Sequence, residues 1–443
     1  MPTTYRPYQP HQILLLPPSV SEWLPEGHLA HFISDAVDVL DLQAFHARYE
    51  GDGRRNTPFD PAMLVKVVVY GYANGVVSSR QVARKLHEDV AFRVLAAENF
   101  PAHRTIREFR QVHRDALAGL FVQIVKLAHE SGLLKLGRVG IDGTKLKANA
   151  SKRKAMSYAR MQSEELRLKA EIATLLQQAE ATDQKEDQQF GADRTGEELP
   201  DELARRETRL ATIEAAKARL QARQREADQA AGREPGDDAP GSGKRGRAFQ
   251  RPFGEPPAKA QENFTDTDSR IMHTADGYQQ GYNAQAAVDE SLLIIAATVS
   301  NIASDSPQLL PVLEQVRDTL GQSPTMLLAD AGYASEANFV ALEDANQPAC
   351  IALGREGKAC ARTIDPTTYP ATTRMQERMA SDEGKAHYRR RKTLPEPVFG
   401  WLKSIIGITG FSGRGLLSVQ AEWPLICAAM NLRRMHRIGW QPV

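Results

Sequence analysis

A chain of 443 residues exceeds what one ordinary core holds, so two or three domains are expected. Hydrophobic residues at 42% and charged ones at 25% give a globular composition, with no apolar run approaching the ~20 residues of a membrane span. The net charge of +1 hides a segregation that suits a phosphate backbone: Lys385 to Arg437 holds ten Lys or Arg against Glu396 and Glu422, while acids gather between Glu164 and Asp238.

The chain opens Met1-Pro2-Thr3-Thr4-Tyr5-Arg6-Pro7, without the basic-then-apolar layout of a secretory signal. Cys350, Cys360 and Cys427 form no CxxC pair, so neither a disulfide framework nor a zinc site is expected, and a reducing cytoplasm fits. Residues 1–135 read as an all-α domain. Leu29, Phe32, Ile33, Ala36, Val37 and Leu40 recur with helical spacing. Asp60-Pro61 caps and opens a helix through Met63 to Tyr72, which Asn74-Gly75 ends. Ser79 caps a short helix through Val82, Ala83 and Leu86. Thr105-Ile106-Arg107-Glu108 matches a capping box ahead of Phe109, Val112 and Leu117. Arg107, Arg110 and Arg114 on that helix are compatible with a helix-turn-helix entering a DNA groove, or with a plain bundle bearing a basic face.

Val139 to Asn149 reads as a strand. Two heptad seams follow, Met161, Leu168, Ile172, Leu175 and then Leu203, Leu210, Ile213, Leu220. The polar stretch Asp183 to Gly196 between them allows an antiparallel hairpin, and Gly232 to about Ala260 reads as a mobile linker. This gives an insertion over residues 151–261. Strands are then expected at Arg270 to His273, Asn283 to Val288 and Leu292 to Val299, with Asp289-Glu290-Ser291 as a hairpin turn. A helix over Leu309 to Leu320, a strand over Thr325 to Ala329, a helix over Ser335 to Asp344 and a strand over Ala349 to Leu353 follow. A helix over Pro395 to Ile406 closes the pattern. Residues 136–150 and 262–443 thus form one α/β domain, a mixed sheet flanked by helices.

Three acids stand in distinctive contexts: Asp142 in Val139-Gly140-Ile141-Asp142-Gly143-Thr144-Lys145, Asp330 in Leu327-Leu328-Ala329-Asp330-Ala331-Gly332-Tyr333, and Glu396 in Thr393-Leu394-Pro395-Glu396-Pro397. Carboxylates converging from such places are hard oxygen ligands for Mg²⁺, and a pair of ions can drive phosphoryl transfer. Glu396 has a rival reading as the glutamate of a capping box on Thr393, but Pro397 would then fall where an intrahelical donor is needed. Lys403, seven residues on, shares a helical face with Glu396. Asp266 and Asp268 precede a strand and are further candidates to approach the site. Asp289 reads as a turn former and Asp305, before Pro307, as a helix cap.

At these motifs the sequence resembles the DDE transposases of bacterial insertion sequences, the group with an RNase H-like catalytic domain. Tyr388, Arg391, Glu396 and Lys403 resemble that group's third motif, Tyr-x2-Arg-x3-Glu-x6-Lys, with four residues here between Arg391 and Glu396. That leaves the functional cation open among Arg390, Arg391 and Lys392. The resemblance implies a five-stranded RNase H-like sheet. It also implies Asp142, Asp330 and Glu396 as catalytic ligands of two Mg²⁺ ions, with Mn²⁺ as a substitute. Tyr388, Arg391 and Lys403 would contact DNA, joined by Arg107, Arg110 and Arg114. The expected partners are element ends and target DNA, bound by a homodimer working at the nucleoid. An inactive transposase-derived DNA-binding protein and a stand-alone nuclease of the same fold are the alternatives.

Overall fold

The structure, a computed structural model, describes residues 19–49, 57–190, 201–236, 251–274, 277–354 and 364–442. Helices α1 (Leu29–Asp38), α2 (Gln43–His46), α3 (Pro61–Ala73), α4 (Ser79–Glu88), α5 (Val90–Leu95), α6 (His103–Val112) and α7 (Arg114–Glu130) come first. The Asp60 carboxylate accepts from the N–H groups of Ala62 and Met63, so α3 starts as its sequence dictates. The capping box at Thr105 does not form. Helix α6 begins two residues earlier behind Ala102, whose side chain offers no cap, and Thr105 is already inside the first turn. The expected single helix through Leu117 also breaks, at His113, whose ring is buried against Phe45, Tyr49 and Phe109.

Strand β1 (Arg138–Lys147) leads into an excursion: β2 (Ala155–Ser157), α8 (Tyr158–Phe190), α9 (Asp201–Ala230) and β3 (Gln261–Asn263). β2 and β3 pair antiparallel and close its base. Its heptad residues Met161, Leu168, Ile213 and Leu220 join Met156, Tyr158 and Ala216 in a small core of their own, with Leu210 packed against it. The polar residues 183–190 continue α8 instead of turning, and 191–200 lie outside the described residues. Residues 237–250 of the expected linker also lie outside them. Its last part is not loose: Arg251 pairs with Asp228, Gly254 N–H donates to Asp228, and the carbonyls of Ala258 and Ala260 accept from Ala159 and Tyr158.

The sheet is completed by β4 (Arg270–Thr274), β5 (Gly277–Val288), β6 (Ile294–Ser300), β7 (Met326–Ala329) and β8 (Ala349–Ile351). Between and after these strands run α10 (Leu309–Leu320), α11 (Glu336–Asp344), α12 (Pro370–Ala380), α13 (Asp382–Arg389), α14 (Pro395–Gly400) and α15 (Leu416–Arg437). The order is β6-β5-β1-β7-β8, antiparallel from β6 to β1 and parallel from β1 to β8, which is the expected RNase H-like arrangement. A sixth strand is added because β5 starts earlier than its apolar stretch, and its first residues pair with β4.

Helix α15 is buried on all sides from Ala421 to Leu432, as befits a helix covered all round. It packs on β6, α3 and α7. Trp423 Nε1 donates to the Gln285 carbonyl, and Asn431 bonds both backbone groups of Ile294. One continuous core therefore joins the N-terminal helices to the sheet, while the excursion keeps its own. Among the described residues no helix is long and apolar enough to cross a membrane.

Candidate active site

Register decides which side chains meet. β1 and β7 run parallel with Val139 opposite Leu327 and Gly140 opposite Leu328, and the same offset carried two residues on sets Asp142 level with Asp330. Neighbouring strands lie about 4.8 Å apart and in-register residues share a face, so the two carboxylates leave the sheet side by side. Asp142 also shares its face with Gly140, two residues back. A Cβ on Gly140 would lie 2.8 Å from Pro395 Cδ and 3.1 Å from Leu394 Cβ. The bare glycine thus lets the start of α14 sit directly on this face, which is what brings Glu396 to Asp142.

Helix α14 starts behind Leu394, with Pro395 at its first position and no side-chain cap. Pro397 falls in the first turn, where a missing N–H costs nothing. Glu396 is free of capping duty and turns to Arg391. The Arg391 guanidinium stands between two carboxylates, Nη2 at 3.2 Å from Glu396 Oε1 and Nη1 at 3.7 Å from Asp142 Oδ2. The Tyr388 ring lies 5.8 Å from its Cζ. Arg391 is buried while Arg389, Arg390 and Lys392 are exposed, so among the three candidate cations only Arg391 reaches the acids. Its Nε is buried with no hydrogen-bond partner.

Burial pushes the Asp142 carboxyl up to about 6; the charges of Asp330 and Asp305 add to the rise, while the Gly143 N–H and Arg391 oppose it. Asp330 accepts the Gly332 N–H at 2.8 Å from the turn that follows β7. Crowded hard-oxygen donors of this kind fit a divalent cation that takes one or two protein carboxylates. Among the described residues no three His, Cys, Asp or Glu side chains are arranged to hold an ion, and Arg391 stands between Asp142 and Glu396. Gly140→Ala tests the positioning: with α14 displaced, single-turnover DNA cleavage should fall about 100-fold. Stability should drop by about 1–3 kcal/mol. Unchanged cleavage would separate Glu396 from the reaction.

The remaining expected DNA contacts are scattered. Lys403 is exposed on a π turn, Trp401–Ile406, so the seven residues from Glu396 do not make two α turns. Arg107 is exposed on α6, and Arg114 lies near Asp115. Arg110 points inward: it donates to the Val77 carbonyl, Tyr72 and Ser412 and pairs with Glu422 at 3.4 Å. The buried Glu422 carboxylate also accepts from Tyr72 and from the Ser412 and Gly413 N–H groups. Arg110 is therefore a tie between α6, α3 and α15. Arg110→Ala should lower stability by about 1–3 kcal/mol, since Glu422 keeps its other donors. Arg107→Ala should leave the melting temperature alone and weaken DNA binding. A melting temperature unmoved by Arg110→Ala would overturn this assignment.

Asp305 stands at the N-cap position before Ser306-Pro307, as expected. It makes no side-chain cap. Its Oδ1 instead accepts from Lys145 Nζ, Asn283 Nδ2 and Gln285 Nε2, each at 2.8 Å. The signal was present in β5, where two amides, Asn283 and Gln285, recur at a spacing of two in an alanine-rich strand and need an acceptor. Asp266, by contrast, is buried under Tyr282 and bonds Ser269, and Asp289 accepts backbone N–H groups in its turn. Asp268 accepts from Leu416 N–H.

Residues 18–112 match the family model described as Transposase domain (DUF772), and residues 253–432 match the one described as Transposase DDE domain. The second match contains Asp330 and Glu396; Asp142 precedes it, beyond the excursion, and joins them through the pairing of β1 with β5 and β7. No curated protein and no solved structure matches the chain. With both transposase domains in order along one chain, on a mixed sheet that sets Asp142 level with Asp330, this protein belongs to the DDE transposases of insertion sequences.

Proposed function

We propose that this transposase cleaves DNA at the ends of its element and joins the freed ends to target DNA, with Asp142, Asp330 and Glu396 as its acidic centre. The observation that carries the reading is the Arg391 guanidinium set between Asp142 and Glu396, on the face that the β1–β7 register gives to Asp330. Mg²⁺, or Mn²⁺ in its place, held as a pair by these carboxylates, would activate the attacking oxygen and stabilise the leaving one. Arg391 compensates the clustered negative charge and offers donors to the phosphate that enters. Tyr388 backs that guanidinium, holding its plane. Arg107 and Lys403, both exposed, reach DNA phosphates away from the centre, and residues 1–135 recognise the element ends. The same carboxylates serve both displacements, first by water and then by the freed 3′-OH, so catalysis is positioning and charge compensation. Two ends must be held together, which calls for a homodimer on DNA, with the α8–α9 hairpin as its pairing device.

The test is a reaction of the purified chain with duplexes carrying the element's terminal sequence and a plasmid target. Cleavage and end joining in Mg²⁺, both abolished by chelation, are expected. Cleavage without joining on any target points to a nuclease. Specific binding without cleavage in Mg²⁺ or Mn²⁺ points to an inactive DNA-binding descendant.

A further inference from the structure

Lys145, Asn283, Gln285 and Asp305 form a polar array next to Asp142 but across β1 from it, on the side to which Gly143 and Lys145 turn. Asn283 and Gln285 are fully buried, and Gln285 also accepts from the Tyr333 hydroxyl. All three donors converge on one oxygen, Asp305 Oδ1. The other, Oδ2, accepts no hydrogen bond among the described residues, although the side chain is only partly exposed. A carboxylate pinned by one oxygen and left open at the other is oriented toward something.

Two glycines show where it points. A Cβ on Gly143 would meet Asp305 Oδ1 at 2.8 Å and Gln285 Nε2 at 2.5 Å. A Cβ on Gly332 would meet Asp330 Oδ1 at 2.9 Å and Asp305 Oδ2 at 3.4 Å. Gly143 follows Asp142 within β1 and Gly332 lies in the turn after Asp330, so the backbone next to each aspartate, tightly at Gly143 and in ordinary contact at Gly332, reaches the Asp305 carboxylate. Its free oxygen and Asp330 Oδ1 approach the same point, and its charge acts on both Asp142 and Tyr333.

We infer that Asp305 is a positioning residue of the catalytic centre, whose fixed carboxylate adds negative charge beside Asp142 and Asp330 and would strengthen the hold of those two carboxylates on a divalent cation. The inference rests on the acidic-centre reading above. Lys145 is its anchor: the ion pair at 2.8 Å fixes Oδ1 and leaves Oδ2 to face the site. Asp305 itself touches neither DNA nor the reacting phosphorus, and it acts through the ligands beside it.

The test is a direct Mn²⁺ titration of the full chain by calorimetry, without DNA, beside a thermal melt. Asp305→Asn keeps the shape and an oxygen for the three donors but removes the charge and replaces Oδ2 by a donor. Its Mn²⁺ half-saturation concentration should rise about 10- to 100-fold, the usual cost of losing an outer-shell partner, while the melting temperature stays near the parent's. Asp305→Ser, with a small acceptor for the same donors, should weaken Mn²⁺ binding to a similar extent. A folded variant of either kind with unchanged Mn²⁺ affinity overturns the inference, whatever its melting temperature. Failure of both to fold overturns it as well, because Asp305 is then a clamp of the fold. Asp142→Asn in the same titration separates the two readings. If it loses Mn²⁺ while Asp305→Asn does not, the error lies with Asp305; if it too binds like the parent, the error lies with the acidic centre.

Discussion

Asp142→Asn, Asp330→Asn and Glu396→Gln are each expected to reduce Mg²⁺-dependent end cleavage by about 10³-fold or more, the kinetic equivalent of about 4 kcal/mol. Each exchange keeps the size of the side chain and removes one negative charge from a place where carboxylates crowd. Binding of end DNA should change by less than about threefold, because affinity for DNA comes mostly from phosphate contacts made elsewhere. Folding should survive as well. When Asp142 or Glu396 loses its charge, Arg391 keeps the other as partner, and in Asp330→Asn the amide oxygen can still accept the Gly332 N–H. Single-turnover cleavage of a labelled end duplex, with a gel-shift titration beside it, measures both quantities. Parental cleavage in any one variant removes that residue from the acidic centre.

Replacing the α8–α9 excursion by a short Gly/Ser linker is expected to leave a folded RNase H-like domain that no longer transposes efficiently. The excursion buries its apolar stripe within itself, and the main core reaches from the N-terminal helices to α15 without it. The cut must respect Glu262, which is buried and paired with Arg219 and Arg223 of α9. Leaving Glu262 while removing both arginines would strand a buried carboxylate, at a cost of roughly 3–5 kcal/mol. The replacement should therefore run from Lys152 to Asn263, taking both partners of the β2–β3 pair with it. A melting transition close to the parent's, with mobility in a cell-based assay down at least tenfold, is the expected outcome. Undiminished mobility would make the hairpin an inert spacer, and an unfolded product would place it in the catalytic core.

Local sequence determined most of the elements in this protein. Asp60-Pro61 set the start of α3, the heptads of Met161, Leu168, Ile213 and Leu220 set the hairpin seam, and the apolar period from Leu309 to Leu320 set α10 with its bounds. These signals are short-range: a cap, a period or a run acts within a few residues of itself. Where local signals competed, the reading slipped. The box at Thr105 lost to an earlier start of α6, and the helix expected to continue broke where burial of the His113 ring among aromatic side chains was worth more than another turn.

The acids themselves were legible because each stands in a distinctive context, within a strand, just after one or beside cations. Their arrangement was not, since it depends on register and approach between segments far apart in the chain. The offset between β1 and β7 sets Asp142 level with Asp330, and the contact of bare Gly140 with Leu394 and Pro395 sets α14 on their face. Only packing distinguished Arg391 from Arg390 and Lys392, because burial between Asp142 and Glu396 is a property of the fold and not of the spacing. The same holds for Arg110 and Asp305. In sequence one is a cation on a basic helix and the other an acid before a proline. The tertiary structure turned the first inward to Glu422, 312 residues away, and the second onto Lys145, 160 residues away, because buried polar groups must find partners wherever the chain brings them.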